Sequence, residues 1–197
     1  MDSLVKKAHQ TIKNVKPWVQ FGISPFGVWK NKDTDPRGSD TQAGQTTYED
    51  LYADPLLWSE KGWLDYLVPQ IYWSMEHPKA SHQTIANWWS NATTNTNLYI
   101  GNGTYKIKNN SDKAWNKKNE IPKQLSLARE RTEITGNVFF SAKSLIGRNE
   151  KVTNLLKRKF YKFPVQNPTS PRKTNRPVAP VKIKTASVVD NKLKICV

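Results

Sequence analysis

PQIYWSMEHPKASHQTIANWWSNATTNTNLYIGNGTY, residues 69–105, sets two short apolar runs around one helix-like segment. PQIYW (69–73) and LYIGNGTY (98–105) each end in a burst of polar and aromatic residues, and the segment between them closes in NWWS (87–90). This is the pattern of a βαβ unit, in which the loops at the strand C-termini carry the chemistry. Gln70, Tyr72, Trp73, Asn102 and Tyr105 are then expected to face one shared cleft. The same pattern returns at VQFGISPFGVWKN (19–31) and NVFFSAKSL (137–145).

Working outward, residues 2–16 read as a helix with Leu4, Ala8, Ile12 and Val15 on one face, stopped by Pro17. Trp18 to Ser24 alternates as a strand, followed by a long loop rich in Gly, Pro, Asp and Thr. Connections of that length are usually functional or disordered. Trp29 within it is either a platform for a sugar ring or a lid over the core edge. Tyr48 to Gly62 is expected to be helical, with Pro55 splitting it. LVPQIY (67–72) is a strand whose Pro69 predicts a bulge that re-aims Gln70 and Tyr72. Further helices are expected over 81–92, 120–134 and 150–160, with strands over 97–101 and 138–142. Gly101 and Gly103 flank Asn102, which suits either an ordinary turn or close approach of a ligand to the backbone.

Past Phe163 the composition changes. Residues 164–180, PVQNPTSPRKTNRPVAP, carry five prolines and read as an extended basic linker. Residues 181–197 alternate like strands and read as the truncated start of a further β domain.

The 197 residues carry a formal net charge of +15. Residues 1–100 hold nine Lys and Arg against ten Asp and Glu, whereas residues 101–197 hold 22 against six. A basic half attracts polyanions, or is simply a solvated surface with a basic linker. The basic residues form no aromatic-interleaved motif for nucleic acid, so a nucleic-acid partner is not expected. The single cysteine, Cys196, excludes an intrachain disulfide. No apolar run reaches the roughly 18 residues that a membrane span requires. His9, His77 and His82 lack metal-ligand spacing, and no phosphate-cradling or dinucleotide fingerprint occurs, so neither a metal nor a cofactor is expected.

Strand positions near residues 18, 67, 97 and 137, with helices between, describe about four βα units of an α/β barrel with elaborated loops. VQFGISPFGVWKN, YEDLYADPLLW, GWLDYLVPQIYW, LYIGNGTYKI, EIPKQLSLAR and GNVFFSAKSL together resemble the C-terminal half of the glycosyl-hydrolase-like 10 family, formerly a domain of unknown function. The resemblance covers about residues 3–163 and implies the C-terminal half of a (β/α)8 TIM barrel over 1–163. The last strands resemble the start of a fibronectin-III-like β-sandwich. The resemblance further implies a protein of the bacterial cell envelope or exterior that hydrolyses a polysaccharide, with peptidoglycan glycan strands as the substrate class. It places the family's acidic catalytic motif upstream of Met1, so this chain alone is expected to be inactive.

Glycoside hydrolysis normally uses two carboxyl groups, about 5–5.5 Å or 6.5–9.5 Å apart. Near the expected strand C-termini stand Asp33, Asp35, Asp40 and Glu76; only Glu76 is placed to lean over the cleft, and a solvated loop carboxylate is the simpler reading of each. Asp50, Asp54 and Asp65 read as capping or structural. Gln70, Tyr72, Asn102, Ser141 and Lys143 supply donors and acceptors for sugar hydroxyl and N-acetyl groups. Trp29, Trp73 and Tyr105 supply flat apolar faces, completing the usual lining of a ligand cleft. A glycan-binding protein without catalysis and a polyanion-binding module are the competing readings. Four barrel strands also leave two apolar edges, near Val19–Ile23 and Val138–Phe140, which predicts self-association.

Overall fold

The computed structural model describes residues 1–166, 168, 184–189 and 192–196. Most of the expected linker, 164–180, lies outside the described residues. The elements are α1 (Asp2–Val15), β1 (Gly22–Ile23), α2 (Pro55–Glu60), β2 (Tyr66–Leu67), β3 (Gln70–Ile71), α3 (His82–Ala92), β4 (Asn97–Asn102), α4 (Glu120–Glu130), β5 (Ile134–Phe139), α5 (Ala142–Leu145), α6 (Glu150–Lys159), β6 (Thr185–Val189) and β7 (Lys192–Cys196). Two 3-10 turns, Thr104–Lys106 and Lys113–Asn116, sit between β4 and α4.

β1 to β5 form one parallel sheet. β2 and β3 are two pieces of one strand line. Both pair with β4, Tyr66 opposite Asn97 and Gln70 opposite Gly101, and the break falls at Val68–Pro69. Pro69 has no N–H for the ladder, yet its carbonyl still accepts from Gly101 N at 3.0 Å. β1 lies outside β2, and β5 outside β4, so strand positions add in sequence order. Helices between successive parallel strands complete a mixed α/β arrangement like part of a TIM-barrel-type domain. β6 and β7 pair separately as an antiparallel ribbon, Thr185 opposite Cys196.

Local signals explain the helix ends. Ser81 caps α3 by accepting from Thr84 N at 3.3 Å, and Asp54 caps α2 by accepting from Leu57 N at 3.2 Å. Pro122 occupies the first turn of α4, where its missing N–H costs nothing. Ile85, Ala86 and Trp89 of α3 and Ile121, Leu125 and Ala128 of α4 are buried. The core joins Trp29, Trp58, Leu64, Leu67, Ile71, Ile85, Trp89, Leu98 and Ile100, and a second cluster gathers Trp115, Ile121, Leu125, Val152, Leu156 and Phe160.

Several boundaries differ from expectation. In α1 Val5 is buried and Ala8 and Ile12 are half-buried, while Leu4 and Val15 are 65 % and 70 % exposed, so the docked face is the expected one rotated toward Val5. Its anchors are polar: Trp58 Nε1 donates to Asp2 Oδ1 at 2.8 Å, and Lys13 Nζ meets Asp65 Oδ2 at 2.7 Å. Residues 48–54 are turn and loop, so α2 begins only at Pro55. β5 begins at Ile134, and Ser141 caps a short helix instead of ending a strand. Of the expected edge residues, Val19, Val138 and Phe140 are exposed, at 38 %, 46 % and 56 %, whereas Phe21, Ile23 and Phe139 are half-buried.

Candidate functional site

The C-terminal ends of β3, β4 and β5 converge on one surface. Here Tyr72, Tyr105 and Phe140 form a three-ring cluster, with Tyr72 stacked on Phe140 at 6.0 Å and Tyr105 edge-on to both at 5.8 Å. The backbone sets this arrangement. Tyr105 N donates to Phe140 O at 3.1 Å, and Phe140 N donates to Asn102 O at 2.9 Å. Lys106 Nζ donates to Tyr72 O at 2.6 Å and fixes the other side. Burial raises both Tyr72 and Tyr105, so the phenols stay protonated donors, while burial lowers Lys106 against the opposing pull of Asp112. Tyr105 and Phe140 keep 39 % and 56 % of their surface open, so the cluster presents an aromatic face to solvent.

A cleft of about 440 Å³ opens beside Tyr105, lined also by Ile107, Lys108, Asn109, Ser141, Lys143, Ser144, Arg148 and Asn149. Tyr105, Ser141 and Lys143 are therefore brought together as the sequence suggests. Ser144 shapes the floor: its Oγ lies 2.7 Å from Thr104 Oγ1 and donates to Ser141 O at 2.6 Å.

Other expected residues are placed differently. Trp29 is 1 % exposed: its indole stacks on Trp88 at 5.9 Å, meets Tyr48 edge-on at 5.7 Å and donates from Nε1 to Asp54 at 3.1 Å. Of its two readings the lid over the core is the one seen, because no face remains for a sugar. Trp73 is half-buried and edge-on to Phe26 at 5.5 Å. Gln70 points back along the sheet, donating to Ser24 O at 2.9 Å.

Asn102 is fully buried and reaches no cleft. It donates to Gln124 Oε1 at 2.9 Å and accepts from Asn137 Nδ2 at 2.8 Å. Gln124 donates onward to Glu120 Oε1 at 3.0 Å and to Trp73 O at 3.3 Å, and Glu120 Oε1 also accepts from Met75 N at 2.7 Å. This chain of groups ties the ends of β4 and β5 to the loop after β3. The close approach at the neighbouring glycines is made by the protein itself. A Cβ on Gly101 would lie 2.8 Å from Pro69 O, and one on Gly103 would lie 3.1 Å from the Tyr72 side chain.

Glu76 is exposed on the loop after β3. Asp112, on the next loop, accepts from Ser74 Oγ at 2.5 Å and from Ala114 N at 2.9 Å. Burial pushes its carboxyl up, but the Ser74 and Ala114 hydrogen bonds, with His77 and Lys106 nearby, outweigh that and hold it below the usual range. Asp112 is thus a clamp between two loops and lacks the raised pKa of a general acid. Asp35 is bound by Arg37 and Lys30 at 2.9 and 3.1 Å; the Arg37 guanidinium and backbone N–H, with Lys30, hold it well below the carboxylate range.

The sequence reading omitted Phe140, Lys106, Asp112, Gln124 and Glu120. Glu120 and Gln124 leave a trace, since they are polar residues four apart on a helix face otherwise built from Ile121, Leu125 and Ala128.

Parallel α/β topology with a cleft at the strand C-termini defines a barrel-type domain whose ligand site lies at that end of the sheet. The glycosyl hydrolase-like 10 profile matches residues 1–117, and the chain belongs to that family. It is 42 % identical over 194 residues to glycosyl hydrolase YngK of Bacillus subtilis (strain 168), covering 98 % of this chain and 38 % of that protein. It is also 42 % identical over 144 residues to glycosyl hydrolase DigH of Escherichia coli (strain K12), covering 70 % of this chain and 33 % of that protein. The chain therefore spans under two fifths of the length of these relatives.

Proposed function

We propose that residues 1–163 form the C-terminal half of a (β/α)8 glycoside hydrolase barrel and supply its glycan-binding loops. The proposed substrate is a bacterial cell-envelope polysaccharide, peptidoglycan glycan strands above all, met at the envelope or outside the cell. The observation that carries this reading is the exposed Tyr72–Tyr105–Phe140 cluster beside the cleft that holds Ser141 and Lys143. Aromatic faces take the apolar side of a pyranose ring, and hydroxyl, amide and ammonium groups read its substituents. Family membership and the two relatives named glycosyl hydrolase support it.

In this reading the reacting carboxyl pair comes from outside the chain, since no Asp or Glu lines the 440 Å³ cleft. The open apolar side supports the same view. Met1, Leu4, Val5, Phe21, Ile23 and Trp58 help line a groove of about 660 Å³ along β1, where the rest of a barrel would close or a second copy would dock. NMR titration with a peptide-free glycan oligomer tests the reading. The expected result is shifted signals from Tyr72, Tyr105 and Ser141 with no turnover by this chain alone. Signals that stay in place across the titration would overturn it.

The same absence of carboxylates favours one second reading, glycan binding without catalysis. Co-expression of this chain with the N-terminal part of a family member separates the two, because hydrolysis of peptide-free glycan by the complex eliminates the binding-only reading.

A further inference from the structure

Behind the Tyr105 cleft lies a second hollow of about 430 Å³, and the two share Ile107, Lys108, Arg148 and Asn149. Six cations border the pair: Lys108, Lys117, Lys118, Lys143, Arg148 and Lys151. Glu150 is the single carboxylate on the border of either hollow. The ion pairs of the described residues all lie elsewhere, between Lys13 and Asp65 and around Asp35, so none of the six is neutralised by a carboxylate there.

Cations that share a surface repel one another and are usually interleaved with acids. Here they gather in a concave trough that runs from the aromatic cluster toward the start of α6, with Asn109, Asn116 and Asn149 between them. Concavity matters, because low-dielectric walls focus the field of the charges into the space a ligand would fill. Tyr105 at one end gives a sugar ring its platform, so an anionic substituent on the next ring would meet the trough.

We propose that this trough binds anionic substituents, carboxylate or phosphate, carried by the glycan that the aromatic cluster holds. The inference rests on the glycan-binding reading and names the substrate class within it: acidic polysaccharide chains are bound in preference to neutral ones. Lys108, Lys143 and Arg148, which border the cleft next to Tyr105, make the first charge contacts.

Calorimetric titration of the chain tests this with three probes of one length: a neutral N-acetylglucosamine oligomer, an oligomer with a carboxyl ether on alternate sugars, and one bearing phosphate. The expected result is that at least one acidic oligomer binds about 10-fold or more tighter than the neutral one at low salt. The advantage should shrink as ionic strength rises past about 0.15 M, where the screening length falls to roughly 8 Å. Whichever acidic probe gains identifies the substituent. The combined variant Lys108→Gln/Lys143→Gln/Arg148→Gln should bring the ratio of acidic to neutral affinity close to one, whatever the change at the neutral oligomer, which Lys143 also faces. All three side chains are exposed, and an unchanged thermal transition confirms that the variant folds. Equal affinity for neutral and acidic oligomers overturns the inference and leaves the glycan reading standing. Binding of duplex DNA as tight as that of the acidic oligomers also overturns it, in favour of unselective polyanion attraction. Failure of all three oligomers to bind overturns the glycan reading itself.

Discussion

The loop after β1 and the loops after β4 and β5 all hang from strand C-termini, yet they are built in opposite ways. Residues 24–54 are stitched down. Trp89 Nε1 donates to Gly27 O at 2.7 Å, Trp88 Nε1 donates to Arg37 O at 2.8 Å, and Trp29 stacks on Trp88. Asn31 bonds to Thr41 and Ala43, and Asp35 is held by Arg37 and Lys30. Residues 103–119 and 140–149 are open, cationic and lined with exposed side chains around hollows. Tryptophan density therefore marks where a long loop is fixed to α3. The sparser aromatics, Tyr105 and Phe140, mark where a ligand has room.

Removing the stitches is the strongest way to break the contrast. Trp89→Ala deletes a fully buried indole that also bonds Gly27. A loss of about 3–5 kcal/mol is expected from urea unfolding. A loss under about 1 kcal/mol would show that the loop after β1 is held by other contacts.

Acidification is the next test of the same framework. His82 is fully buried in α3, facing the carbonyl of Ile71, and burial lowers its pKa from 6.5 to about 4. Above pH 6.5 the imidazole is neutral folded and unfolded. As pH falls from 6.5 toward 4 the unfolded chain takes up the proton first, so stability drops, by about 3 kcal/mol in all. Asp35 adds its loss only at more acid pH, as its carboxylate and pairing to Arg37 are protonated away. Unfolding midpoints of the wild type and His82→Gln, compared between pH 7 and pH 4.5, should converge. Parallel curves would remove His82 as the cause.

How much of this was legible in the sequence follows from what each signal encodes. The parallel βα order could be read because apolar runs and helix caps such as Ser81 are local, and Pro69 correctly marks the break between β2 and β3. The end of β4 as the site of Tyr105 was legible for the same reason. The burial of Trp29 and Asn102 was not, since a tryptophan or an amide reads the same in a groove as in a core. Only the partners, Trp88 far along the chain in α3 and Gln124 in α4, decide between the two, and both are long-range contacts. The trough was hidden differently: its six cations are scattered from 108 to 151 and converge only through folding.

The buried amide chain separates support from contact. Gln124→Leu leaves Asn102 Nδ2 without its acceptor and takes one donor from Glu120. Stranded buried polar groups cost about 1–3 kcal/mol. Because the chain fixes the ends of β4 and β5, glycan affinity should fall along with stability. If stability falls and affinity does not, Asn102 and Gln124 serve the core alone.

The smallest effect on stability and the sharpest on binding should come from Tyr105→Ala. The ring is 39 % exposed, and its neighbours Tyr72 and Phe140 stack on each other without it. Its backbone N–H, which holds Phe140 O, survives the substitution. Truncation therefore removes an aromatic face and leaves the loop intact, so stability should change by less than about 1 kcal/mol. Loss of a ring contact worth about 0.5–1.5 kcal/mol lowers glycan affinity by roughly 2- to 12-fold. Tyr105→Phe keeps the face and should retain most of the affinity, with any shortfall assigned to the phenol. A Tyr105→Ala variant that binds glycan like the wild type would move the platform to Phe140 and erase the contrast between a stitched loop and an open one.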